Sequence, residues 1–167
     1  TPIQLCLMTA QIANGGYKIY PKILAKDENQ YNDKFKPLYK KTRNIKIVQD
    51  AMFSSTNEVR GTSYRSRLND PKYQFAGKTG TSQVKKITEK DRELDLKTFQ
   101  IPYEERDHAL YVAFGPYKNP RYAISIIIEH GGSGGTVAAP LAKELFKMII
   151  DRHEIRKNYD NKKYLDI

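Results

Sequence analysis

HALYVAFGPYKNPRYAISIIIE, residues 108–129, decides the fold. Residues 108–114 and 122–129 are rich in Val, Ile, Phe and Tyr, side chains that suit a pleated, half-buried backbone. Between them Gly115-Pro116-Tyr117-Lys118-Asn119-Pro120 is turn chemistry, so the two runs read as an antiparallel hairpin. Ile124-Ser125-Ile126-Ile127-Ile128 is almost continuously apolar, which predicts a central strand covered on both faces.

Downstream, His130-Gly131-Gly132-Ser133-Gly134-Gly135 forms a strand-to-helix turn, expected to border a cleft. A helix is predicted over 137–152. Val137, Leu141, Leu145 and Ile149 share one face, Phe146 and Ile150 lie beside it, and Pro140 is acceptable only in the first turn. The charged tail over 157–167 is expected to fray. Upstream, residues 82–107 are a charged insertion, long for a structureless loop, so it carries structure or covers something. Residues 73–81 are a short strand candidate. A helix is predicted over 45–55 with Ile45, Val48 and Met52 as its apolar stripe, followed by a polar connection over 57–71. At the start, Thr1-Pro2-Ile3-Gln4 has the form of a capping box with proline at the first helical position. Leu5, Met8 and Ile12 follow at helical spacing, and Gly15-Gly16 stops that helix. Residues 17–22 alternate weakly and predict a short strand, and 26–41 a polar loop or hairpin. The fold class expected is α+β: an antiparallel sheet with covering helices.

Composition narrows the function. The 167 residues suffice for one core, with 39% hydrophobic and 29% charged side chains, an ordinary globular balance. Lys and Arg outnumber Asp and Glu 29 to 19, a formal charge of +10 that favours anionic partners. Nucleic-acid binding needs basic side chains gathered on one surface with aromatics for stacking. Here they are scattered among acids, as in Glu89-Lys90-Asp91-Arg92-Glu93, so a nucleic-acid role is set aside. The single cysteine, Cys6, permits no internal disulfide and reads as an inert helix thiol. No run approaches the ~20 apolar residues of a membrane helix. No histidine has a second ligand at metal spacing, so no metal and no cofactor is expected. His108 reads as a polar contact at a strand start, and His153 as a solvent or capping residue in a last helical turn.

Lys78-Thr79-Gly80-Thr81 carries the chemistry. Glycine weakens a strand, and Gly77 and Gly80 together invite close approach of a ligand to the backbone. Thr79 and Thr81 fall on one face at period two. Their hydroxyls can bind a carboxylate, with Lys78 adding positive charge and the strand edge offering N–H groups. Taken alone, the tetrapeptide is one that a basic chain carries by chance.

Its surroundings change that. Phe75-Ala76-Gly77-Lys78-Thr79-Gly80-Thr81-Ser82-Gln83, preceded by Thr1-Pro2-Ile3-Gln4-Leu5 and Ala13-Asn14-Gly15-Gly16, resembles the class B penicillin-binding proteins. Arg106-Asp107-His108-Ala109 and Glu129-His130-Gly131-Gly132-Ser133-Gly134-Gly135 are similar to their elongation-specific branch. The likeness runs from Thr1 to about Ile150. It implies the C-terminal part of a β-lactamase/transpeptidase-like domain that cross-links peptidoglycan stem peptides through a serine acyl-enzyme. It further implies Lys78 as an electrostatic and hydrogen-bonding group and Thr81 N–H as one oxyanion donor. Thr79, Gly80 and Thr81 would bind the substrate. Implied partners are the D-Ala-D-Ala end of stem peptides, β-lactam antibiotics, and a cell-elongation glycosyltransferase and scaffold proteins. The implied location is the periplasmic side of a bacterial inner membrane, through an N-terminal anchor outside this sequence.

The family's nucleophile and S-x-N motifs belong upstream of Thr1, so this chain is expected to be one portion of the domain without its nucleophile. Ser82-Gln83-Val84-Lys85 and Ser55-Thr56-Asn57 mimic the two motifs and are read as coincidental. The catalytic serine must open a helix so that its lysine lies one turn on, which a strand exit does not provide. Two other readings stand beside this one: a β-lactam sensor or serine β-lactamase on the same fold, and a non-catalytic structural piece that exposes an apolar face.

Overall fold

The computed structural model describes residues 1–21, 23, 36–40, 42–86 and 96–163, with the side chains of 42 and 156–163 left aside. Three strands form one antiparallel sheet: β1 (Ala76–Ser82), β2 (His108–Gly115) and β3 (Tyr122–Ile128), in the order β1-β2-β3. The predicted hairpin is β2-β3, in register from Ala109 opposite Ile128 to Gly115 opposite Tyr122. β1 pairs with β2 so that Thr79 faces Tyr111 and Thr81 faces Ala109.

Helices cover both faces of the sheet. α1 (Pro2–Ala13) packs on β3 and α2 (Thr42–Asn57) on β1. Met52, Ala76 and Phe114 form the core there, with Ile12, Phe53 and Val112 around them. α3 (Ala139–Lys163) closes the opposite face, where Phe75, Ala109, Tyr111, Ala113, Ala142, Phe146 and Ile150 are buried together. Phe75 and Phe146 stack with ring centroids 4.9 Å apart.

Several expectations are corrected. Among the described residues β3 is an edge strand rather than a central one; both its faces are packed, Ile124, Ile126 and Ile128 on the α3 side and Ala123 on the other, yet each of its seven residues stays half-buried. α3 buries Ala139, Ala142, Phe146 and Ile150, while Leu141 and Leu145 stay 46% and 39% exposed. The face nearest the sheet takes the small alanines, because they let the helix backbone approach. α3 also runs past Arg152 to Lys163, so His153 lies inside it, its ring edge-on to Tyr122. In α2, Ile45 and Met52 are buried but Val48 is 40% exposed, and Thr56 extends the buried stripe instead. In α1, Met8 is 43% exposed and Thr9 is buried, its hydroxyl donating to Leu5 O. Thr1 caps through its amino group and hydroxyl, 3.0 and 2.9 Å from Gln4 Oε1. Residues 17–21 form no strand, only a single bridge of Tyr17 to Pro37. Most of 26–41 lies outside the described residues. Cys6 is half-buried with its thiol on Ala123 O, and burial pushes its pKa up, the inert state expected. No helix among the described residues is long and apolar enough to cross a membrane.

Candidate active site

β1 enters the site along its unpaired edge. Gly77 N–H donates to Thr56 Oγ1 at 3.1 Å, away from β2. Backbone groups of a strand alternate sides, so Thr79 and Thr81 turn theirs to that same open edge. Phe75 O and Thr79 O agree, accepting from Asn57 Nδ2 at 2.9 Å and Lys78 Nζ at 3.0 Å. Lys78 and Thr81 are exposed, Thr79 and Gly80 half-buried. The four residues the sequence singles out therefore stand together on one accessible edge, with Thr81 N–H open to it.

A buried cluster of hydroxyls fixes the start of this strand. Tyr111 OH lies 2.9 Å from Thr56 Oγ1 and 3.0 Å from Ser63 Oγ, and Ser63 Oγ donates to Ser55 O. Burial pushes the Tyr111 phenol above its usual pKa, against the opposing hydrogen bonds of Ser63 and Thr56, and it remains a neutral hydroxyl. Each polar atom in this cluster has a partner, which is the condition for burying it without penalty. The glycine at 77 has a steric cause: a Cβ there would sit 2.2 Å from Tyr111 OH.

The glycine-rich turn packs over the middle of β1. A Cβ on Gly134 would lie 2.3 Å from Leu110 O and 2.8 Å from Gly80 O. The turn is therefore seated directly on the K-T-G backbone. His130 starts it with a left-handed φ of 56°. Its amide donates to His108 Nδ1 at 3.0 Å, and its own Nδ1 meets Arg106 O at 3.1 Å. His108 is thus a polar contact tying the two strand ends, as expected. No group of His, Cys, Asp and Glu among the described residues could hold a metal ion.

The charged insertion is partly structured. It makes short 3-10 turns at Thr98–Gln100 and Tyr103–Glu105, and Gly132 N–H donates to Asp107 O at 2.7 Å. Residues 87–95 of it lie outside the described residues.

Neither motif mimic has catalytic geometry. Ser82 ends a strand, and Lys85 is paired with Glu105 at 2.6 Å rather than set one helical turn beyond a nucleophile. Asn57 is spent on Phe53 O and Phe75 O. What sequence reasoning passed over is the Gly61-Thr62-Ser63 turn. Thr62 Oγ1 stands 3.2 Å from Thr79 Oγ1 and 3.2 Å from Ser55 Oγ. The only sequence signal was a short run of small polar residues within the polar connection that follows α2.

A three-stranded antiparallel sheet between helical layers, with K-T-G-T on an open edge strand, defines a class of penicillin-recognising domains. The chain belongs to the family described as penicillin binding protein transpeptidase domain, which it matches over residues 1–147. It is 33% identical over 165 residues to the peptidoglycan D,D-transpeptidase MrdA of Salmonella typhimurium, covering 90% of this chain. It is 36% identical over 154 residues to MrdA of Acinetobacter baumannii, covering 87% of this chain and 22% of that one. The chain spans 25% of the length of the Salmonella relative. Among solved structures, the complex of PBP2 and MreC from Helicobacter pylori superposes with a TM-score of 0.68 at 28% identity, over 90% of this chain and 25% of that one. Pseudomonas aeruginosa PBP2 in complex with WCK 5153 gives 0.67 at 32% identity, over 89% and 30%.

Proposed function

We propose that this chain is the K-T-G portion of a peptidoglycan D,D-transpeptidase. The observation that carries this is the β1 edge, where Thr81 N–H and the Lys78, Thr79 and Thr81 side chains stand open together. A serine supplied by residues outside this sequence attacks the carbonyl of the penultimate D-Ala of a stem peptide. The terminal D-Ala leaves with a proton, an acyl-enzyme forms, and an amine of a neighbouring stem peptide takes the acyl group and restores the serine.

Thr81 N–H is one of two donors to the tetrahedral oxyanion, the other being the serine's own N–H. Such a donor is worth about 3–4 kcal/mol to the transition state. Thr79 and Thr81 hydroxyls hold the terminal carboxylate. Lys78 supplies positive potential to the same anion and reaches the family's S-x-N serine. β-Lactams, which present the same carboxylate and a reactive amide, acylate the same serine. The relatives' names support a role in peptidoglycan synthesis, and the MreC complex of the Helicobacter pylori protein supports a scaffold partner; a glycosyltransferase partner and a place at the periplasmic face of the inner membrane rest on the family resemblance alone.

Labelling of the full-length protein with a fluorescent penicillin, read by intact mass, tests this. One adduct is expected, on a serine outside residues 1–167, and Lys78→Ala should slow its formation by about 10²-fold, on the scale of removing one transition-state contact. An adduct on Ser82, or an unaltered rate in Lys78→Ala, overturns the proposal.

A further inference from the structure

We infer that Thr62 is a positioning residue for the carboxylate subsite, setting the direction in which the Thr79 hydroxyl presents its proton. This rests on the transpeptidase reading and goes beyond it in naming a group outside the K-T-G strand.

The inference follows from hydrogen-bond valence. A hydroxyl has one proton to give and two lone pairs to receive with, and an ammonium only gives. Thr79 Oγ1 has Lys78 Nζ at 3.4 Å and Thr62 Oγ1 at 3.2 Å. Were Thr79 to donate to Thr62, it would meet an incoming carboxylate with lone pairs, and the two would repel. With Thr62 donating instead, both acceptor positions of Thr79 are filled and its proton points to the ligand. Ser55 Oγ, 3.2 Å behind Thr62, can donate to Thr62 and so bias it toward that direction. The order Ser55 to Thr62 to Thr79 to anion aligns three O–H dipoles, each strengthening the next.

The surroundings hold Thr62 in place while leaving its side chain exposed. The neighbouring Ser63 is locked through its amide and hydroxyl, 3.1 and 3.0 Å from Ser55 O. On the other side Gly135 approaches so closely that a Cβ would lie 2.6 Å from Thr62 O and 3.6 Å from Thr79 Cγ2. The connection after α2, the K-T-G strand and the glycine-rich turn therefore meet at this one pair of hydroxyls. An exposed threonine contributes nothing to the core, so losing its hydroxyl tests the site and not the fold.

The test uses the full-length protein and benzylpenicillin, with acylation followed by stopped flow to separate initial binding from the acylation step. Thr62→Val, which keeps the shape and removes the hydroxyl, is expected to weaken initial binding about 3- to 10-fold, the value of one net hydrogen bond. The melting temperature should not move, and Thr62→Ser should restore binding. In a Thr79→Val background the Thr62→Val effect should vanish, because the two hydroxyls act as one unit. Undiminished binding in Thr62→Val, or an equal loss with and without the Thr79 hydroxyl, overturns the inference while leaving the transpeptidase reading standing. If the unsubstituted protein forms no adduct, both fall together.

Discussion

The two outer strands of the sheet have opposite edges. β1 is short of side-chain bulk and polar along its outer edge. Its inner end is held by Thr56 and Asn57, and its outer end at Thr79 and Thr81 is left open. β3 is apolar along almost its whole length, yet half-exposed, and no strand among the described residues pairs with its outer side. The Ser125 hydroxyl on it is buried with no hydrogen-bond partner among the described residues. An edge that binds a small ligand needs rigid backbone donors and little side-chain cover. An edge made of β-branched residues is suited to more protein. The contrast marks β1 as the chemical edge and β3 as the structural one.

The largest effect should come from disturbing the rigid edge. Gly77→Ala places a methyl group against Tyr111 OH in a fully buried site. Overpacking of this kind costs about 1–3 kcal/mol, a fall in melting temperature of about 5–10 °C. Thermal unfolding followed by circular dichroism measures it. A variant that melts with the parent would mean that β1 yields easily, and the contrast with β3 would fail.

How much of this was readable beforehand follows from the range of the interactions. The hairpin was legible because its signals are local: runs rich in aliphatic and aromatic residues either side of the Gly115-Pro116 turn. The K-T-G strand was legible because glycines in a strand need a reason, and the neighbouring motifs supplied one. The edge position of β3 was not, because an apolar run looks the same whether a strand covers it or not. In α3 two apolar stripes compete, and Leu141 and Leu145 are no less hydrophobic than Ala139 and Ala142; only the close approach to the sheet decides for the alanines. Thr56, Ser63 and Tyr111 come from three separate stretches, and nothing local says that their hydroxyls meet. Thr62 was missed for the same reason, its partner lying 17 residues away.

The structural edge can be probed by charge. The isolated 167-residue chain is expected to self-associate, because an unpaired apolar strand is a template for another. Ile127, half-buried on β3 opposite Leu110, is the position to alter. Ile127→Lys should shift the chain several-fold toward monomer in sedimentation velocity, as inward charges do on natural edge strands. A parent chain that sediments as a monomer would show that β3 needs no further cover, and would erase the distinction between the edges.

The smallest expected effect sharpens how α3 anchors each edge. Its Asp151 accepts from Tyr73 OH at 2.5 Å and Lys72 Nζ at 3.1 Å, just ahead of β1, while its Glu154 stands 3.8 Å from Arg121, just ahead of β3. The Tyr73 hydrogen bond first, and Lys72 second, hold the Asp151 carboxyl below the ordinary 3.8. A carboxyl depressed by folding adds stability that is fully present above its unfolded pKa and lost as pH falls through its folded one. Stability of the protein should therefore decline below about pH 4 partly through this contact. Asp151→Asn should flatten that part of the acid limb by removing a small stabilisation at pH 7, small because the group is largely solvent-exposed and screened, and the two proteins should converge at low pH. Urea unfolding of the parent and of Asp151→Asn at a series of pH values from 3 to 7 measures it. An acid limb identical in the two would mean that α3 does not anchor the chemical edge through Asp151, and that this edge owes its order to the hydroxyl cluster alone.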